Sequence, residues 1–134
     1  MTASLPDFQS IGYVSAGFPS PAADYAEEDI DLKKYLQPNP TSIYLARVKG
    51  DSMVNAHIPN DSIVVIDKSI KAKNNSVVVA TLNGERLIKT YVETHAGTFL
   101  APSNPSYVPI RIDEDTDFSI WGVVTHVIVK LQQQ

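Results

Sequence analysis

The sequence predicts a mostly β fold, in which a compact antiparallel β domain carries one short helix and an extended N-terminal arm. Runs rich in β-branched residues recur from about residue 42 onward, with turn residues between them. Asn83-Gly84 separates two of these runs. Asn-Gly is the strongest short-range hairpin signal, because a type I′ turn needs positive φ at both positions. Toward the N-terminus, by contrast, apolar residues are scattered and prolines are frequent.

Residues 1–28 are interpreted as the arm, and residues 29–134 as the β domain. The arm holds Pro6, Pro19 and Pro21, three of the nine prolines in the chain. Each proline removes a backbone donor and favours an extended conformation in the residue before it. We therefore expect an arm that either lies on the domain as an extended segment or moves away from it.

One short helix is expected directly after the arm. Asp29 or Asp31 can cap its N-terminus. Its apolar residues fall at i, i+3 and i+4, which is the spacing of one helix face, and they are Leu32, Tyr35 and Leu36. Two prolines, at positions 38 and 40, are expected to end it.

Seven strands are predicted in the rest of the chain from alternation, β-branched content and flanking turn residues. In order they are Ser42–Lys49, Ser62–Asp67, Ser76–Leu82, Glu85–Val92, Thr98–Leu100, Tyr107–Ile112 and Asp117–Leu131. Gly122 lies inside the last and longest run, and an internal glycine of this kind indicates a bulge or a bend.

Composition excludes several classes of protein. The chain has 134 residues, which suits one domain, and its formal net charge of −4 argues against binding to nucleic acid by bulk charge. It has no cysteine, so disulfides, thiolate metal sites and cysteine nucleophiles are excluded. We find neither a membrane-spanning apolar run nor a secretory signal, and we expect a cytoplasmic protein.

Gly50-Asp51-Ser52-Met53 is the first candidate for chemistry, because it follows the first predicted strand at a turn. A serine after Gly-Asp can lie where backbone N–H groups converge, and an oxyanion hole needs such groups. The N–H groups from Gly50 to Ser52 are the candidate donors. A cap or turn role for this serine remains the alternative.

A nucleophilic serine needs a base. His57, His95 and His126 have no neighbouring carboxylate in sequence and no metal-ligand spacing, so we interpret them as structural or surface residues. Lys89 shares one strand face with Leu87 and Tyr91. A lysine on an apolar face is desolvated, and its neutral amine can take a proton from serine. The alternative is that Lys89 reaches solvent from a strand edge.

Together these motifs resemble the family of UmuD and the LexA repressor. The resemblance rests on residues 14–23 (VSAGFPSPAA), on Gly50–Met53 and on Glu85–Lys89, with a matching last strand in residues 121–127. Gly17 and Ser52 are 35 positions apart, and Ser52 and Lys89 are 37 positions apart, as in that family. The likeness extends over nearly the whole chain from Gly12.

The resemblance implies a LexA/UmuD-type β domain and a self-cleaving serine peptidase. Ser52 would be the nucleophile, Lys89 the general base and Ala16-Gly17 the scissile bond, with no cofactor and no metal. It further implies a homodimer, stimulation by the RecA–single-stranded-DNA filament, and a shortened form that serves a UmuC-type Y-family polymerase in translesion synthesis. Sixteen residues precede Gly17, too few for a helix-turn-helix domain, so we expect no sequence-specific DNA binding.

Two other functions remain open at this stage. A chain that no longer cleaves can keep the fold and bind a polymerase or RecA. A Ser–Lys protease that acts on other proteins is the second alternative, and the absence of a membrane anchor in the sequence counts against a signal-peptidase-like enzyme.

Overall fold

The computed structural model describes Phe8, residues 12–18 and residues 30–132. The expectations for Pro6, Pro19, Pro21 and an Asp29 cap lie outside these residues. The chain divides into two compact units, Met1–Pro38 and Asn39–Gln134. The helix thus falls in the first unit, whereas the sequence analysis placed it with the β domain. The division into an arm of residues 1–28 and a β domain of residues 29–134 stays a prediction.

Helix α1 (Leu32–Leu36) is the short helix predicted after the arm. Its N-cap is Asp31, whose carboxylate accepts a hydrogen bond of 3.1 Å from the Lys34 N–H. The cap satisfies one of the backbone donors that a helix start leaves unpaired. No helix in the described part of the chain is long and apolar enough to cross a membrane.

The second unit is built around one antiparallel sheet of seven strands, which confirms the predicted fold class. The strands are β1 (Ile43–Arg47), β2 (Ile63–Asp67), β3 (Val77–Leu82), β4 (Glu85–Thr94), β5 (Gly97–Ala101), β6 (Ile110–Ile112) and β7 (Phe118–Ile128). Their order in the sheet is β1-β2-β7-β3-β4-β5-β6. β7 therefore lies in the middle, although it is last along the chain.

Two local predictions are confirmed, the hairpin at Asn83-Gly84 and the irregularity at Gly122. Asn83 and Gly84 have φ of 50° and 84°, and they join β3 to β4 in register from Leu82 opposite Glu85. In β7 the register to β3 shifts between Val79 and Ala80, beside Gly122. A Cβ on Gly122 would lie 2.5 Å from Ile66 Cγ2, so this strand approaches β2 too closely for any side chain there.

Two predicted strands differ from the structure by three residues at one end: β7 ends at Ile128 and not at Leu131, and β6 is shorter than expected at its N-terminal end. β6 begins at Ile110, not at Tyr107. The Tyr107 N–H donates to the Asn104 carbonyl in a turn, and Pro109 has no N–H to give a neighbouring strand. The residues before Ile110 therefore form a loop.

The sheet has a hydrophobic core on each face, because the side chains of β3 alternate between them. Val79 packs into one core with Val48, Met53, Ile58, Val64 and Ile66. Val78 and Ala80 pack into the other core with Leu100 and Val123. Met53 and Ile58 are each 1% exposed, and they flank the short 3₁₀ helix Val54–Ala56 that follows Ser52. The first core thus anchors the turn that carries the candidate nucleophile.

Candidate active site

Ser52 lies in the turn that leaves β1, one residue before the buried Met53. Gly50 begins this turn with φ of 100°, a value that side-chain-bearing residues rarely adopt. The Gly50 N–H donates a 2.8 Å hydrogen bond to Asn60 Oδ1. The start of the turn is therefore fixed by a glycine backbone and by a side chain from the loop before β2.

Lys89 reaches the same place from β4. Its Nζ lies 2.8 Å from Ser52 Oγ, although the two residues are 37 positions apart in sequence. It also donates a 3.2 Å hydrogen bond to the Ile88 carbonyl. A base must come within about 2.6–3.2 Å of the oxygen whose proton it takes, and this pair meets that condition.

Burial lowers the pKa of Lys89 below the ordinary lysine value of 10.5. Desolvation disfavours the ammonium, so the neutral amine is reached at a lower pH than on an exposed lysine. Lys89 is half-buried. Of the two interpretations open from the sequence, the structure favours the desolvated lysine over one that extends into solvent.

Ser52 and Lys89 share an open cleft of about 570 Å³. Residues of β1 and its extension line one side, from Tyr44 to Lys49, and Arg86–Lys89 of β4 line the other. The floor is apolar and contains Val64, Ile66 and Val79. These two strands are far apart in the order of the sheet, so the sheet must curl to bring both to one cleft.

Two strand edges face this cleft with backbone groups free of a neighbouring strand. β1 is the end strand of the sheet and pairs only with β2. β4 pairs with β5 only from Thr90 onward, so its first half has no partner strand on that side. Such edges can bind an extended peptide by strand addition.

The cleft is cationic in an acidic chain. Arg47, Lys49, Arg86 and Lys89 line it, and its lining among the described residues contains no carboxylate. Lys49 is paired with Asp61, a residue of the loop before β2.

None of the three histidines lines this cleft. His57 and His95 are exposed, and the ring of His126 lies 2.9 Å from the Thr125 hydroxyl. In the described residues, no group of three or more His, Asp or Glu side chains is placed to hold a metal ion. The base nearest to Ser52 is therefore the lysine.

The three predicted oxyanion donors differ in availability. The Gly50 N–H is already bound to Asn60, so an oxyanion could use it only after that bond breaks. The N–H groups of Asp51 and Ser52 make no hydrogen bond among the described residues. The Ser52 N–H is the better placed of these, since it belongs to the residue that would attack.

A third segment holds the Ser52 turn, and the sequence analysis did not identify it. We name residues 103–107, between β5 and β6, the clasp loop. Its Ser103 N–H donates to the Ser52 carbonyl at 2.8 Å. Its Asn104 and Tyr107 side chains both bind Asp51, the residue before Ser52. The only sequence signal was the turn composition Asn104-Pro105-Ser106, which is typical of any loop.

Ala16 and Gly17 lie in an exposed bend of the first unit. The Gly17 N–H donates to Ser15 Oγ at 3.2 Å, and the Ser15 hydroxyl also lies 3.1 Å from the Phe18 carbonyl. The predicted scissile peptide thus takes part in a local turn, and an extended conformation would require this turn to open.

The chain matches the peptidase S24-like family over residues 9–125. Among similar proteins, it is 36% identical to the protein MucA of Salmonella typhimurium over 118 residues, which cover 87% of this chain and 80% of that protein. It is 37% identical to the protein SamA of Salmonella typhimurium, over 86% of this chain and 79% of SamA.

The similarity extends to a repressor as well. The chain is 37% identical to the LexA repressor of Acidothermus cellulolyticus over 121 residues, which are 90% of this chain and 42% of the repressor. The shared part is thus most of this chain and less than half of the repressor, whereas MucA and SamA are matched over most of their length.

Proposed function

Because this chain belongs to the peptidase S24-like family, as a UmuD-like protein of the SOS-mutagenesis type, we propose that it cuts its own arm between Ala16 and Gly17. Ser52 is the nucleophile and Lys89 the general base in this proposal. The observation that carries it is the 2.8 Å approach of Lys89 Nζ to Ser52 Oγ, made by a lysine whose pKa is lowered by burial.

The first half of the reaction forms an acyl-enzyme. Neutral Lys89 takes the Ser52 proton while Oγ attacks the Ala16 carbonyl carbon. The carbonyl oxygen becomes an oxyanion that the backbone N–H groups of the turn stabilise. When the tetrahedral intermediate collapses, the bond to the Gly17 nitrogen breaks. The Lys89 ammonium returns its proton to that nitrogen, which leaves as a free amine.

The second half releases the arm. Ser52 now carries Ala16 as an ester, and Lys89 is neutral again. Lys89 takes a proton from a water molecule, which attacks the ester carbonyl. Collapse of this second intermediate frees the Ala16 carboxyl group and returns the proton to Ser52 Oγ. The net reaction is hydrolysis of one peptide bond, and it needs no metal and no cofactor.

The cleft supports an extended substrate. Strand addition to the free edge of β1 or of the first half of β4 would satisfy the backbone of a docked segment. In the proposal, the local turn at Ser15 opens and the arm binds the cleft as a strand. Gly17 has no Cβ, so the scissile backbone can approach Ser52 closely.

By its membership in the UmuD-like group, we further propose how the cleavage is used. The RecA–single-stranded-DNA filament stimulates it in the cytoplasm, and the shortened chain, residues 17–134, acts as a homodimer with a UmuC-type Y-family polymerase in translesion synthesis. This step follows from the family resemblance of the sequence motifs and not from a contact among the described residues.

Mass spectrometry of the incubated, purified chain tests the cleavage. We expect a fragment that begins at Gly17, formed slowly alone and faster with RecA on single-stranded DNA. Ser52→Ala and Lys89→Ala should each abolish it, while His95→Ala, which changes an exposed residue outside the cleft, serves as the matched control. A Ser52→Ala protein that still yields the Gly17 fragment would overturn the assignment.

The polymerase step needs its own experiment. Purified residues 17–134 and the full chain are compared as additives to a UmuC-type polymerase that copies a template with an abasic site. We expect bypass with the shortened chain and much less with the uncut Ser52→Ala protein. Equal bypass with both proteins would contradict the proposal that the polymerase needs the shortened chain.

A further inference from the structure

The clasp loop touches the Ser52 turn at three points. Ser103 N–H donates to the Ser52 carbonyl at 2.8 Å. Asn104 Nδ2 donates to the Asp51 carbonyl at 2.9 Å. Tyr107 OH donates to Asp51 Oδ1 at 2.6 Å. All three bonds therefore end on two adjacent residues, one of which is the proposed nucleophile.

We infer that Asn104 and Tyr107 are positioning residues for cleavage, which orient the Asp51–Ser52 peptide so that the Ser52 N–H faces the cleft as an oxyanion donor. This inference rests on the function proposed above. According to this inference, two side chains outside the Ser–Lys pair increase the rate of cleavage.

The geometry of one peptide unit carries the first step. In a trans peptide the C=O and the N–H point in opposite directions. The Asp51 carbonyl accepts from Asn104 Nδ2 at 2.9 Å and from the Val54 N–H at the longer distance of 3.3 Å. The N–H of the same peptide, which is that of Ser52, therefore points away from both donors. Ser52 lines the cleft, and no clasp-loop residue does. Fixing the carbonyl on one side thus presents the N–H on the other.

The availability of that N–H is the second step. The Ser52 N–H makes no hydrogen bond among the described residues, whereas the Ser52 carbonyl is bound by Ser103. A donor fixed in direction and left without a protein partner can stabilise a charge that appears only during the reaction.

Tyr107 restrains the same peptide from the side chain of Asp51. A hydrogen bond to a carboxylate is shorter and stronger than one between neutral groups, and this one is 2.6 Å long. The bond raises the pKa of Tyr107, so the hydroxyl keeps its proton and remains a donor through the neutral and mildly alkaline range. Rotation of the Asp51–Ser52 peptide would break the bond from Asn104, whereas the Tyr107 bond holds the Asp51 side chain and, through it, the Cα at one end of that peptide.

Two variants each remove one hydrogen-bond donor to Asp51 and are designed to leave the fold of the clasp loop intact. Asn104→Asp keeps an oxygen that can accept from the Ser106 N–H, as Asn104 Oδ1 does at 3.0 Å, but it cannot donate to the Asp51 carbonyl. Tyr107→Phe removes one hydroxyl only. Tyr91→Phe is the matched control, because Tyr91 OH donates to Glu93 at the same 2.6 Å but away from the Ser52 turn.

The test is the first-order rate of self-cleavage of the full chain between pH 6 and 11, with folding checked by circular dichroism. Positioning of an oxyanion donor predicts a lower plateau, by roughly tenfold to a hundredfold, since outright loss of such a donor costs about 10²–10³. In Tyr107→Phe, which adds no charge, the midpoint of the pH profile should stay in place, because Lys89 keeps its burial. The control should cleave like the wild type.

Three results would overturn the inference. Wild-type plateaus in both variants would show that the clasp loop does not affect the reaction. A slower reaction of Tyr107→Phe whose midpoint moves toward the ordinary lysine value of 10.5 would show that the loop only keeps Lys89 buried. A wild-type chain that yields no Gly17 fragment at any pH would overturn the proposed function, and this inference with it.

Discussion

Replacing Lys89 by methionine tests the proposed base, because methionine keeps a long unbranched side chain and removes the amine. The Nζ atom lies 2.8 Å from Ser52 Oγ, so the change deletes the only base among the described residues that reaches the nucleophile. General-base catalysis contributes about 10²–10⁴-fold. We expect the self-cleavage rate of Lys89→Met to fall by that factor.

The pH dependence of the wild-type rate has a definite sign. Only the neutral amine accepts a proton, and its fraction grows as pH rises through the pKa of Lys89. Burial places this pKa below 10.5, so the rate should rise with pH, reach half of its plateau below pH 10.5 and then level off. In Lys89→Met this rise should be lost.

The same pKa shift predicts a change in stability. Between the folded pKa of Lys89 and the unfolded value of 10.5, the unfolded chain binds the proton and the folded chain does not. The free energy of unfolding therefore increases as pH rises through that window. The increase is at most about 1.4 kcal/mol for each unit between the two pKa values, and partial exposure of Lys89 reduces it. At neutral pH, Lys89→Met should thus be more stable than the wild type.

Two measurements check these expectations. Cleavage rates from pH 6 to 11 are followed by mass spectrometry, and urea unfolding is compared at pH 7 and pH 10, with Ser52→Ala as the uncut reference. A Lys89→Met protein that keeps the wild-type pH profile would refute the reasoning. So would a plateau complete by about pH 8 that disappears on replacing His57 or His126, since a histidine base titrates near 6.5.

Other expectations follow from the same structure. Gly122→Ala should lower the free energy of unfolding by about 1–3 kcal/mol in urea titrations, since its Cβ would meet Ile66 Cγ2 at 2.5 Å; Ile66→Leu, which removes that methyl group, should restore part of the loss. Gly50→Ala should destabilise by about 1 kcal/mol through its φ of 100° alone, and unchanged stability would contradict this. Ser15→Ala should speed spontaneous cleavage by up to about tenfold, because the turn at Gly17 then opens without breaking the exposed hydrogen bonds of the Ser15 hydroxyl. Ser15→Thr keeps a hydroxyl and should cleave at the wild-type rate. In anisotropy titrations at moderate salt the chain, with its net charge of −4, should bind no duplex sequence tightly.

The sequence was sufficient wherever the signal is local. Asn83-Gly84 predicts a hairpin because only a few residues accept positive φ at two successive positions, and the observed φ values agree. Asp31 and the alternating runs predict the helix start and the strands for similarly local reasons. Ser52 and Lys89 were both identified as candidates, with the lysine as a possible base for the serine. The residues left a structural alternative open for each, and only the family resemblance favoured the pair.

The tertiary structure decided what depends on contacts between distant parts of the chain. Alternation along β4 cannot tell a desolvated Lys89 from one that extends into solvent, because burial depends on which strands cover it. β1 and β4 have four strand-to-strand steps between them in the sheet, and only the curl of that sheet brings Ser52 within 2.8 Å of Lys89. The clasp loop was missed for the same reason: Asn104 and Tyr107 look like ordinary loop residues until the fold places them against Asp51, more than 50 positions away.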